Sequence, residues 1–119
     1  YAALAEPVKA ELWRRFHGAI APAREAGKLG GVLFQFHLGT PVSDATRRWV
    51  LELRSRLGSG VNMAVEFRNR AWVAGEEGGR TAAWLAEHGI ALVAADELAH
   101  ETAQPDRAQA GLPAGQRRE

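Results

Sequence analysis

Apolar positions along the chain keep two different spacings, and each change of spacing marks a new element. Val8, Leu12, Phe16, Ala19, Ile20 and Ala23 recur three or four residues apart and predict an amphipathic helix from Glu6 to about Ala26. Pro7 suits its first turn, Pro22 is expected to kink it or restart it as a second short helix, and Gly27 to stop it. Trp13 falls beside the stripe and reads as packing. After Gly30 and Gly31 the run VLFQFHL, Val32 to Leu38, has the length and turn-residue borders of a strand covered on both faces. Ser43 or Asp44 can cap the following helix, which carries Trp49, Val50, Leu53 and Leu57 on one side and ends at Gly58. Val61 to Phe67 reads as a second strand. The glycine-rich AGEEGG stretch within Ala71 to Arg80 reads as a mobile surface loop. Thr81 to His88 reads as a short helix burying Ala82, Trp84 and Leu85. Ile90 to Asp96 reads as a third buried strand with Leu92, Ala94 and Asp96 on one face.

Strands alternating with single helices run parallel, with right-handed crossovers. The expected class is therefore α/β with about three parallel strands. It is either part of a TIM-type (β/α)8 barrel or an open, doubly wound three-stranded sheet. Residues 1–96 form the (β/α) segment, and residues 97–119, polar and without a period, form a loop or a disordered tail.

Composition narrows the picture. With 119 residues and 46% hydrophobic content, one core is affordable and a second is not. The net charge of +1 is mixed along the chain, so neither nucleic acid nor an anionic membrane surface is an expected partner. No apolar run approaches the ~20 residues of a membrane span, and no secretory pattern opens the sequence. The absence of cysteine removes disulfides and thiolate metal sites and favours a cytoplasmic setting. A composition rich in Ala, Gly and Arg fits a bacterial source, and Tyr1 in place of Met suggests a piece of a longer polypeptide.

In both architectures ligands bind beyond the carboxyl ends of the strands. Each predicted strand starts apolar and turns polar in its last residues: Gln35 and His37, then Glu66 and Arg68, then Asp96. Glu66 and Asp96 are the candidate general acid and base. Gln35, His37, Arg68 and Trp72 are the candidate ligand contacts, with Arg68 able to grip a phosphate or carboxylate bidentately. Leu33, Ala64 and Ala94 share parity with Gln35, Glu66 and Asp96, which puts all six on one inward face. Plainer readings stand beside these: a structural Glu66–Arg68 ion pair, a hydrogen-bonded His37, an Asp96 that caps a turn, and a Trp72 that only packs. A metal-assisted hydrolase or nuclease would use Glu66, Asp96 and His37, although the ligand set is thin and no metal is assigned. A non-catalytic binding module would use the same groups without turnover. No phosphate-binding glycine loop, serine elbow, HExxH or CxxC is present, and which cofactor, if any, is used stays unknown from the sequence.

GKLGGVLFQF (Gly27 to Phe36), AVEFRNRAW (Ala64 to Trp72) and EHGIALVAAD (Glu87 to Asp96) resemble, in order and spacing, three motifs of the YecE-like family, domain of unknown function 72. Gln35, Glu66, Arg68, Trp72 and Asp96 stand on its motif positions. The sequence departs from the pattern at His37, where the family usually has proline, and at Asn69, where histidine is common. The resemblance implies a TIM-barrel-like fold of roughly twice this length, with strands before Tyr1 and after Glu119 and the rest of the barrel as the natural partner of this piece. It implies no reaction.

Overall fold

In a computed structural model of the protein, residues 1–93 are described. Helix α1 spans Glu6–Glu25, strand β1 Val32–Phe36, helix α2 Asp44–Leu57 and strand β2 Met63–Phe67. A 3₁₀ turn at Arg70–Trp72 leads to helix α3, Gly75–Glu87, and strand β3, Ile90–Leu92. Local chemistry explains the borders. The Ser43 hydroxyl accepts the Thr46 backbone N–H at 3.1 Å, capping α2, and Gly58 ends that helix at φ 93°, where a side chain would be strained.

The strands are parallel and ordered β1-β2-β3, with Val32 opposite Met63, Phe36 opposite Phe67 and Val65 opposite Leu92. Alternation then sorts the side chains. Phe34, Phe36, Met63, Val65, Phe67, Ile90 and Leu92 share one face, while Leu33, Gln35, Ala64, Glu66 and Ala91 share the other. All three helices serve the first face. Trp13 of α1 lies 6.2 Å from Phe34, and Trp49 of α2 meets Phe36 edge-on at 4.9 Å. Trp84 of α3 stacks on Trp72, which in turn stacks on Phe67. The core is here, around Val50, Leu53, Leu57, Val65, Phe67, Trp72 and Leu85. Chain-ordered parallel strands with helices on one side are compatible with a segment of an α/β barrel wall; a doubly wound sheet would carry helices on both faces.

Several expectations are corrected. α1 runs unbroken through Pro22, which costs it one backbone bond near its end; the Pro22 carbonyl still accepts from Ala26 at 3.1 Å. Its buried residues are Lys9 and Trp13, whereas Val8 and Leu12 are exposed. The presumed loop after β2 is largely α3. Glu76 and Glu77 sit in its first turn, where carboxylates favour a helix, and Arg80 reaches back to Glu77 at 3.2 Å. In α3 the buried residues are Thr81 and Leu85; Trp84 is half-buried and Ala82 exposed. β1 is covered on one face, not two, since Leu33 is 48% exposed. Leu92 lies on the helix-packed face because β3 starts with Ile90 opposite Met63, so the inward parity assigned to it is overturned. Ala94, Asp96 and the segment 97–119 lie outside the described residues.

Candidate functional site

The ends of β1 and β2 bring two of the candidates together. Gln35 stands directly opposite Glu66 in the register, on the face turned away from the three described helices. Parallel neighbours lie about 4.8 Å apart. From that separation the Gln35 Nε2 donates to Glu66 Oε1 at 2.7 Å. Glu66 is only 4% exposed, while Gln35 is open to solvent. A buried carboxylate is costly without a donor, and Gln35 provides one. Arg68 follows by two residues; its N–H donates to the Phe36 carbonyl at 2.8 Å, carrying the ladder one step past the strand. Alternation gives Arg68 the parity of Glu66, one layer higher. None of the ion pairs formed between described residues joins Glu66 to Arg68.

Other candidates go elsewhere. The exposed His37 turns its ring back on its own loop, where Nδ1 accepts the Gly39 N–H at 3.1 Å. Trp72 is fully buried behind the sheet, stacked on Phe67 at 4.1 Å and 10°. It donates to the Thr40 carbonyl at 3.2 Å and lies 5.7 Å beneath the Arg47 guanidinium. Such a side chain holds the sheet to its helices and cannot line a ligand face, so its assignment as a ligand contact is withdrawn. Among the described residues no group of three or more His, Asp or Glu is placed to hold a metal ion. None of the helices there is long and apolar enough to cross a membrane.

Two residues missing from the sequence candidates shape the rim. The Thr40 carbonyl accepts from both Trp72 Nε1 and Asn69 Nδ2, each at 3.2 Å, and so ties the loop after β1 to the loop after β2. Asn69 Oδ1 also accepts the Ala71 N–H at 2.9 Å, starting the 3₁₀ turn. Thr40 acts through its backbone, which leaves no trace in residue identity. Asn69 was visible only as a departure from a motif.

The family described as "Protein of unknown function DUF72" matches residues 2–117. The chain belongs to this family. A crystal structure of a DUF72 family protein from Enterococcus faecalis V583 is similar, with a TM-score of 0.66 and 23% identity over 77% of this chain. At that identity the likeness speaks for the fold. The chain spans 34% of the length of that DUF72 protein. No curated protein matches it.

Proposed function

We propose that this DUF72 chain is a wall segment of a (β/α)8-type barrel and contributes a site for a small anionic metabolite at the carboxyl ends of its strands. One observation carries the reading: the Gln35–Glu66 hydrogen bond joins two adjacent strand ends on the face turned away from the described helices. A buried carboxylate beside a neutral amide is suited to orient a polar ligand and to move a proton, with Glu66 as the acid–base group and Gln35 as the positioning donor. Arg68, above them, grips the phosphate or carboxylate of the ligand.

Calorimetric titration with a panel of phosphorylated and carboxylated metabolites tests this. A member of the panel is expected to bind, and Arg68→Lys to weaken it about tenfold, or ~1.4 kcal/mol, with little change in melting. Glu66→Gln keeps an acceptor for Gln35 and should keep the fold while removing proton transfer to the bound anion. Binding that is identical in wild type and Arg68→Lys would remove the anion from the proposal.

A further inference from the structure

The Gln35–Glu66 pair satisfies only half of the carboxylate. Oε1 of Glu66 accepts from the Gln35 amide at 2.7 Å, and Oε2 receives no hydrogen bond from any described residue. That second oxygen is not one of the buried atoms left without a partner, so it keeps a small patch of surface on a residue that is 4% exposed. The neighbouring layers explain why. One layer down on the same face, Leu33 stands opposite Ala64 and Ala64 opposite Ala91, and none of the three carries a polar side chain. One layer up stands Arg68, about 6.6 Å further along the strand. The face therefore runs from apolar, through an acceptor, to a cation.

A carboxylate accepts hydrogen bonds and never donates them. A ligand that covers this face takes Oε2 out of water and has to bring a hydrogen of its own, because a charged acceptor left dry and unpaired costs more than an ordinary hydrogen bond gains. A phosphate or carboxylate at that point brings only more acceptors and a like charge, so the anionic end of the ligand belongs with Arg68. A keto oxygen fares little better. It can take the remaining N–H of Gln35, but Oε2 then stays covered and unpaired. A hydroxyl meets the demand, and the separation of the two layers is short enough for a three-carbon ligand to reach both.

We infer that the site selects hydroxylated anions, with a hydroxyl close to the phosphate or carboxylate donating to Glu66 Oε2, and that it rejects the corresponding ketones. This rests on the anion site proposed above and adds the part of the ligand that Glu66 reads. It also gives Gln35 a second role. By occupying Oε1 it fixes which carboxylate oxygen is left for the ligand, and it fixes the outcome of an exchange at position 66. In Glu66→Gln the amide oxygen must turn to Gln35 to keep that bond, which puts an NH2 where Oε2 was. An acceptor for the ligand becomes a donor, and the preference between hydroxyl and ketone reverses.

Calorimetric titration of the protein as the cell makes it, with three matched probes, tests the selection: 2-hydroxypropyl phosphate, acetonyl phosphate and propyl phosphate. In the wild type the hydroxyl compound is expected to bind about tenfold or more tighter than the ketone, with the propyl compound no better than the ketone. In Glu66→Gln the ratio of hydroxyl to ketone affinity should fall by about tenfold or more, and in Arg68→Lys all three should weaken together with the ratio kept. Three equal affinities in the wild type, all weakened in Arg68→Lys, would leave the anion site standing and overturn the selection. A wild-type preference for the ketone, or a ratio unchanged in a folded Glu66→Gln, would also overturn it, since Oε2 then has a donor from the protein or is not what the ligand meets. Binding of none of the three would remove the anion site and the selection with it.

Discussion

Phe36 and Gln35 are neighbours in one strand, and the sheet treats them oppositely. Phe36 is 2% exposed, edge-on to Trp49 and stacked at 5.3 Å on Phe67, while Gln35 is open to solvent and bonded to Glu66. The same division runs across the sheet. The helix face is closed by aromatic contacts from Phe34 to Trp84, and the other face carries small residues, one exposed leucine and a polar pair at its end. A single alternation therefore divides labour: one face supplies the stability, and the other can afford a buried carboxylate because its neighbour satisfies it.

The sharpest way to break this comparison is to remove the wedge of the closed face. Trp72→Ala should cost about 3–5 kcal/mol, read by denaturant unfolding, since a fully buried indole stacked on Phe67 leaves a cavity that the helices cannot fill. A loss below ~1 kcal/mol would mean that the closed face is not the core. Phe36→Ala should fall in the same range of ~3–5 kcal/mol, whereas Gln35→Ala, one residue away, should cost about 1–3 kcal/mol by leaving the Glu66 carboxylate without its donor, and should also weaken ligand binding. Equal stability losses at the two positions would erase the distinction between the faces.

Much of this division was legible in advance because it follows from period and parity. The order of strands and helices, a cap at Ser43 or Asp44, and the shared face of Gln35 and Glu66 all come from spacing within a few residues. What escaped needed a partner distant in sequence. Lys9 is buried in α1 in place of Val8 because Glu52 of α2 receives its ammonium at 3.4 Å and the Tyr1 ring lies 5.0 Å below it. Trp72 looked like a site residue because it follows Glu66 and Arg68 in one motif. Its place is set instead by the Thr40 carbonyl and the Phe67 ring behind the sheet. The glycines of α3 suggested a loop, but Arg47 from α2 holds Glu77 at 3.2 Å and anchors the start of a helix. Leu92 shows how little is needed to invert a face: pairing of Ile90 with Met63 fixes the parity of every residue that follows in β3.

Smaller effects sharpen the comparison at its margins. Ser43→Ala should cost about 1 kcal/mol by removing the cap that starts α2, with no effect on ligand binding, because that helix serves only the closed face. On the outer side of α1, Glu11 belongs to neither face and is a control. Hydrogen bonds from Arg14, and next from Arg15, lower its pKa from 4.5 to about 2. A depressed carboxyl pKa stabilises the fold above the unfolded value, so this contribution is present above pH 4.5 and fades as pH falls toward 2. Both partners are solvent-exposed, so the effect on stability is slight. A carboxyl titration followed by NMR should see the Glu11 midpoint rise in Arg14→Ala; an unmoved midpoint would contradict the assignment.

The division between a stabilising face and a working face is tested most directly by NMR shift mapping of the protein against the same panel of phosphorylated and carboxylated metabolites. Perturbations are expected to cluster at Gln35, Glu66 and Arg68 and to leave the amides around Trp72 and Leu85 quiet. Shifts centred on the helix side, or on the polar cleft formed by Arg54, Ser55, Ser59 and His88, would place the working surface elsewhere and contradict it.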